Sequence, residues 1–165
     1  MTSRWLDCMH RQAYRLGYPL ARLWWRVFGG RATGSTVALR CGDELLVLRE
    51  SYRTGLGLPA GGRRSGETAH QNAMRELYEE VGITVDDDRL VPLQDVHFTS
   101  DGREITNSFF EAVLDEPVAP RVDHREIVWA GWMRIDAIDA GMAQKGLAIY
   151  LGEIRGLWQA GCGPR

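Results

Sequence analysis

The segment 59–83, PAGGRRSGETAHQNAMRELYEEVGI, constrains this chain more than any other stretch. In its second half, Met74, Leu77 and Val81 recur at spacings of three and four, one apolar stripe of a helix, and Gly82 stands where a helix C-terminus favours a residue free of Cβ. A helix over residues 67–81 is expected, about four turns long. Its first half cannot join that helix. Gly61, Gly62 and Gly66, with Gly55, Gly57 and Pro59 just upstream, make a tight loop whose backbone amides and carbonyls can approach a metal or a phosphate.

At 100° per residue, Glu76, Glu79 and Glu80 fall on one side of such a helix and the apolar stripe on another. Like charges at i,i+4, as in Glu76 and Glu80, cost an isolated helix a few tenths of a kcal/mol. A positive partner is therefore expected, with Arg75 (i,i+4 to Glu79), solvent and a divalent cation as the candidates. A cation alone can be held by several carboxylate oxygens together, and magnesium or manganese prefers oxygen ligands. A charge run taken by itself is more often a solvated helix face, so the decision rests on what accompanies it.

Strand signals surround the helix. Residues 37–39 and 45–48 flank the turn Gly42-Asp43, residues 90–99 and 105–114 flank Ser100-Asp101-Gly102-Arg103, and residues 127–133 form a further β-rich run. The tail, 137–160, carries Ile149, Ile154 and Leu157 at near-helical spacing, with glycines that interrupt it. Strands joined by hairpins and interleaved with helices predict an α+β fold, a mixed sheet flanked by helices. With 165 residues, 44% of them apolar and 25% charged, the chain suits one soluble globular domain.

The net charge of -2 is unevenly spread, because residues 1–31 hold six arginines against the single acid Asp7. A generally basic nucleic-acid binder is disfavoured, and no specific nucleic-acid partner is expected. Trp5, Met9, Ala13 and Leu16, then Leu20, Leu23, Trp24 and Val27 after Pro19, form two short amphipathic stripes with arginines opposite. Such a helical extension suits packing on the domain or across a homodimer, and this reading is preferred to peripheral contact with an anionic membrane. Arg11, Arg15, Arg22 and Arg26 break every apolar run, which argues against a signal peptide or spanning helix. Cys8, Cys41 and Cys162 are widely spaced and odd in number, so a reducing cytoplasm is the expected location.

With those elements in place, the segment 61–83 resembles the Nudix box of the Nudix hydrolase superfamily: Gly, five residues, Glu, seven residues, Arg-Glu, an aliphatic, any residue, Glu-Glu, any residue, Gly, an aliphatic. Gly61, Glu67, Arg75, Glu76, Leu77, Glu79, Glu80, Gly82 and Ile83 fill every fixed position. The resemblance implies a Nudix-like α/β/α sandwich with a mixed β-sheet over residues 34–160, after an extension at 1–33 and before a short tail at 161–165. It also implies a Mg2+- or Mn2+-dependent pyrophosphohydrolase. Glu79 and Glu80 would ligate the metal, Glu76 would bind metal or help deprotonate water, and Glu67 and Arg75 would orient that cluster. The backbone carbonyl of Ala60, where many members have glycine, would complete the metal shell. Glu126, opening a strand after a loop in DHREIVWAGW, stands where many members lend a further carboxylate, against the plainer reading of a surface acid at a strand end.

Substrate readings are less constrained. Tyr52 can stack on a base or sugar and Arg53 can pair with a phosphate, while the plainer reading leaves Tyr52 packed at a strand edge and Arg53 in solvent. Phe98, Phe109 and Phe110 line the pocket or fill the core, the core being the commoner place for strand aromatics. The LPAGG start looks like ADP-ribose pyrophosphatases, although their downstream proline is missing at its usual distance. The leading class is a nucleoside diphosphate linked to another moiety, such as ADP-ribose or a nucleotide sugar. A nucleoside triphosphate or oxidised nucleotide is the alternative, and a binding-only domain sensing a nucleotide is a third.

Other matches lack context. Gly55 to Ala60 fits G-x-G-x-x-A, but Pro59 stands where the helix should start, and Gly57 and Gly62 have P-loop spacing but are followed by Arg63 and Arg64. Asp86, Asp87 and Asp88 read as a solvated loop. His10, His70, His97 and His124 have no zinc-binding spacing.

Overall fold

The computed structural model describes residues 30–100, 102–122 and 124–154 and, ahead of them, Gly17. The two helices expected within residues 1–33, the cysteines Cys8 and Cys162, His10, Leu157 and the tail at 161–165 lie outside the described residues.

Among the described residues, six strands form one mixed sheet: β1 (Arg31–Cys41), β2 (Glu44–Glu50), β3 (Ala60–Gly62), β4 (Val91–Ser100), β5 (Arg103–Val113) and β6 (Ile127–Arg134). The order is β4-β5-β1-β2-β6, with β3 paired to β1. Only β1 and β5 run parallel, in register from Arg31 opposite Glu104 to Arg40 opposite Val113. Both expected hairpins are present, and the strand expected at 127–133 is β6. Helix α1 (Ala69–Val81) covers one face and α2 (Lys145–Ile149) the other. The alternation of each strand feeds both layers. Val37, Leu39, Phe110 and Ala112 pack with Ala73, Leu77 and Val81 of α1, while Ala38, Phe109, Leu45 and Val47 pack with Leu147, Ile149 and Tyr150. Phe109 and Phe110 thus belong to the core on opposite faces.

β1 and β2 do not remain together. Their ladder pairs Arg40 with Leu45 and Cys41 with Glu44, next to the turn. Beyond that the glycine-rich loop enters between them: Val37 donates to the Pro59 carbonyl at 2.8 Å, and Leu48 and Gly57 exchange backbone hydrogen bonds at 3.0 and 2.9 Å. Part of the expected loop is therefore strand, because β1 and β2 each present an unpaired backbone edge that the segment 57–62 satisfies. Glycine is required where it passes closest. A Cβ at Gly34 would lie 2.6 Å from the Gly61 carbonyl oxygen.

The tail departs from the expected helix. Two 3₁₀ turns, Ile135–Ala137 and Ala140–Met142, precede α2, which runs on into a π turn over Tyr150–Ile154. The late start has two causes. Asp139 accepts from the Gly141 N–H at 2.8 Å, and the backbone at 142–144 pairs instead with Leu56, which donates to Met142 O at 2.7 Å and accepts from Gln144 N at 2.8 Å.

Candidate active site

Helix α1 begins with a capping box: Thr68 Oγ1 accepts from Gln71 N at 3.1 Å, and Gln71 Oε1 accepts from Thr68 N at 3.0 Å. It ends at Gly82, whose φ of 65° closes the last turn through a 2.9 Å bond to Tyr78 O. Between these caps the helix buries two stripes: Ala73, Leu77 and Val81 enter the core, and beside them run Asn72, Glu76 and Glu80, all at most 9% exposed. Met74, expected on the apolar stripe, flanks it half-buried. The acidic side is thus split. Glu79 faces outward, whereas Glu76 and Glu80 are turned into the molecule at the point where the loop wedges the sheet apart.

Arg75 organises the outer part. Its Nε and Nη2 donate to the two oxygens of Glu67 at 2.8 and 3.0 Å, its Nη1 to Glu76 at 2.6 Å and Glu79 at 2.9 Å, and its Nη2 also to Gly62 O at 3.0 Å. This paired fork, with the Arg64 N–H donating to Glu67 at 2.8 Å, pushes the Glu67 carboxyl down to about 2. Glu67 does not line the cleft, so it acts through Arg75. Arg64 Nη2 also reaches both oxygens of Glu79, at 3.0 and 3.3 Å.

Glu76 lies directly on Gly61. A Cβ at that position would overlap its carboxylate, which accounts for the glycine. Glu80 accepts from the Ala60 N–H at 2.9 Å. Burial pushes both carboxyls above the usual glutamate range, and Glu80 well above it, because no arginine accompanies it and Glu76, Glu50 and Glu126 add like charge.

Two further carboxylates arrive from elsewhere. Glu50 ends β2, and Glu126 closes the long loop between β5 and β6. That loop is pinned by Arg121 N to Val81 O at 2.7 Å and by Trp132 Nε1 to Val118 O at 2.8 Å, and Ser51 N donates to Glu126 O at 2.8 Å. The Tyr52 hydroxyl donates to Glu126 Oε1 at 2.7 Å and lies 3.2 Å from Glu50 Oε1. Gln144 Nε2 donates to Glu50 Oε2 at 3.1 Å. Burial raises the Glu50 carboxyl, and burial beside two carboxylates raises the Tyr52 phenol. Arg53 is placed over the Tyr52 ring, 5.8 Å from its centroid, with Nε 3.7 Å from Glu50 Oε2.

These groups line one cleft of about 1190 Å3 that also takes in Phe98, Asn107, Gln144 and Lys145. Ala60, Glu76, Glu79, Glu80, Arg75, Glu126, Tyr52 and Arg53, singled out from sequence, all lie on it. Sequence reasoning missed Glu50, hidden at the end of the apolar run LLVLRE, and Asn107, whose signal was a polar Thr-Asn-Ser step inside a strand. The remaining acids and histidines stand apart. Asp86, Asp87 and Asp88 are exposed around a 3₁₀ turn, and His70 packs edge-on against Phe110 at 5.7 Å.

Among the described residues no three His, Cys, Asp or Glu side chains close into a ready metal cage. Arg75 engages Glu76 and, with Arg64, Glu79, and the Ala60 N–H holds Glu80 back. The donor set nevertheless fits a hard divalent cation. Every candidate atom is oxygen, and Glu80 is a buried carboxylate with no cationic partner among the described residues.

Comparison with known proteins agrees with this geometry. The family model for the NUDIX domain matches residues 30–151. No curated protein matches the chain. Among solved structures, a MutT NUDIX hydrolase from Burkholderia pseudomallei is similar at 21% identity and TM-score 0.67, over 75% of this chain and 98% of that one. An Ap4A hydrolase from C. elegans is similar at 23% identity and TM-score 0.63, over 79% and 98%. A bifunctional NMN adenylyltransferase/ADP ribose pyrophosphatase from Francisella tularensis is similar at 20% identity and TM-score 0.64, over 98% of this chain and 50% of that one. Fold, box and family model coincide over the same residues, and the chain belongs to the NUDIX domain family of pyrophosphohydrolases.

Proposed function

We propose that the protein hydrolyses the pyrophosphate bond of a nucleoside diphosphate linked to another moiety, of the ADP-ribose or nucleotide-sugar type, with Mg2+ or Mn2+. The observation that carries this reading is the convergence of Glu50, Glu76, Glu80 and Glu126 at the split between β1 and β2, in a cleft long enough to continue past them to Phe98 and Lys145. A substrate with groups on both sides of its diphosphate uses such a cleft over its whole length.

Glu76, Glu79, Glu80 and the Ala60 carbonyl would hold the cation. When bound, it supplies charge neutralisation for the diphosphate and acidity for water. The chain's own residues do the rest. The Glu67–Arg75 fork fixes the Arg75 guanidinium, which in turn sets the orientation of Glu76 and Glu79. Glu126, held by the Tyr52 hydroxyl, presents its other oxygen as the acceptor for the proton of attacking water. Arg53 at the rim meets phosphate oxygens. No nucleophilic side chain is needed for water to displace the leaving phosphate.

Among the described residues no helix is long and apolar enough to cross a membrane, and we place the activity in the cytoplasm. The test is product analysis over nucleotide sugars, ADP-ribose, dinucleoside polyphosphates and nucleoside triphosphates with Mg2+ and then Mn2+. Nucleoside monophosphate plus a phosphorylated second moiety is expected, with turnover lost in Glu80→Gln. Monophosphate plus inorganic pyrophosphate would reassign the substrate to triphosphates, and equal turnover in the variant would sink the hydrolase reading.

A further inference from the structure

Two buried polar atoms on residues that line the cleft have incomplete bonding, Arg63 Nε and Asn107 Oδ1, and of these Asn107 Oδ1 is the acceptor. Asn107 sits in β5, between β4 and β1, and is 8% exposed. Its Nδ2 donates to Thr36 Oγ1 at 2.6 Å, and Thr36 is itself 1% exposed, so the side chain is anchored at that end. Its Oδ1 is buried with no hydrogen-bond partner. A buried amide oxygen left without a donor is costly, and such a group in a binding cleft is a place where a ligand supplies what the protein does not.

The surroundings define the ligand. Leu58 and Leu147, 5% and 0% exposed, Ile105 and Phe98 line the same cleft. Phe98 is fixed from above by Lys145, whose Nζ lies 4.9 Å from the ring centroid while donating to Thr99 O at 2.7 Å. Asn107 Oδ1 is an acceptor beside this aromatic and aliphatic wall, with Thr36, Gln144 and Lys145 as polar neighbours on the same lining. A flat heterocycle with an N–H on its edge matches both the wall and the acceptor.

We propose that Asn107 is a specificity-determining residue, its Oδ1 accepting a hydrogen bond from a ring or exocyclic N–H of the substrate's nucleobase, which lies against the half-buried Phe98 and Ile105. This rests on the nucleotide-hydrolase reading above and adds which end of the substrate occupies the Asn107 side of the cleft. The Thr36 hydroxyl is a positioning group, since it acts by holding the amide.

The test is a ratio measured within each protein, which partial misfolding does not alter. kcat/KM is determined for ADP-ribose and for its analogue with unsubstituted purine in place of adenine, and for a uridine nucleotide sugar and its N3-methyl analogue. The wild type should prefer the N–H-bearing member of the pair it turns over by about tenfold, the worth of one matched hydrogen bond. In Asn107→Leu that preference should collapse to about unity through a raised KM with little change in kcat, and Asn107→Asp, which keeps the acceptor, should retain it. An equal preference in wild type and Asn107→Leu, or none in the wild type, overturns the assignment of Asn107. Turnover that is metal-dependent and lost in Glu80→Gln but insensitive to Asn107 leaves the hydrolase reading standing and this one refuted, while absence of turnover on every nucleotide refutes both.

Discussion

Replacing Glu80 with glutamine should make the metal-free protein more stable while removing its activity. Glu80 is 9% exposed, its one hydrogen bond comes from the Ala60 N–H at 2.9 Å, and Glu76, Glu50 and Glu126 add negative charge around it. Its folded carboxyl is therefore held well above the ordinary value of 4.5. The sign follows by linkage: well below pH 4.5, folded and unfolded chains carry the same proton and nothing is lost. As pH rises toward the raised folded value, the unfolded chain ionises freely and the folded one cannot, so stability falls. Glutamine keeps an acceptor for the Ala60 N–H and never ionises. Burying a charged group with one partner costs about 2 kcal/mol, at the middle of the range for an incompletely satisfied buried group. For a domain of this size each kcal/mol moves Tm by about 2–4 °C, so Glu80→Gln should melt about 4–8 °C above wild type at pH 8 in EDTA. At pH 5 the gap should narrow, because the unfolded carboxyl is then partly protonated. Saturating Mg2+ should raise the wild type and leave the variant almost unmoved, because a cation that binds only the folded state stabilises it by mass action. Differential scanning fluorimetry at both pH values, with EDTA and with Mg2+, reads all four conditions. A variant that melts below wild type at pH 8 in EDTA, or a gap that is the same at pH 5, refutes the account of Glu80 as a strained buried carboxylate.

Further expectations concern the groups around it. Glu126→Gln should lower kcat by about two to four orders of magnitude with Tm nearly unchanged, as removal of a proton acceptor does; a loss under tenfold in steady-state assays would make Glu126 a structural loop residue. Tyr52→Phe keeps the ring under Arg53 and removes the hydroxyl that holds Glu126, so kcat should fall about 10–100-fold at constant KM. Gly61→Ala forces a methyl into the Glu76 carboxylate and should cost about 1–3 kcal/mol of stability together with activity, measured by urea unfolding and turnover. Arg75→Lys retains the charge but cannot serve Glu67, Glu76, Glu79 and Gly62 O at once, so it should behave like Arg75→Ala in metal titration rather than like wild type.

The parts of this fold that were legible from sequence are those with a local cause. The helix at 67–81 announced itself through its period and Gly82, and the structure starts it at Ala69 because Thr68 and Gln71 cap each other. Strand positions followed from alternation, and the box followed from fixed spacing. What was not legible depends on partners far away in sequence. Glu76 and Glu80 read as one edge with Glu79, but the approach of Ala60 and Gly61 buries the first two and leaves the third outside. Glu50 became a site residue only through Tyr52, Glu126 and Gln144, the last of these 94 positions away. The late start of α2 likewise came from Leu56, which no periodicity within the tail encodes.

The wedge between β1 and β2 has a consequence for how the chain tolerates changes of length. Residues 53–55 bulge outside the ladder, so extra residues there lengthen a surface turn and leave the pairing on either side intact. The run from Gly57 to Gly62 has no such latitude. It is bonded to Leu48 at one end and to Val37 further along, Arg63 just after it donates to Thr33 O, and side chains and amides alternate with each step. One residue added or removed there would turn the Ala60 N–H away from Glu80 and bring a neighbour with a different backbone direction under Glu76. The spacing of this active site is thus a count of residues enforced by a strand, and insertions should be survivable on one side of Leu56 and lethal to activity on the other.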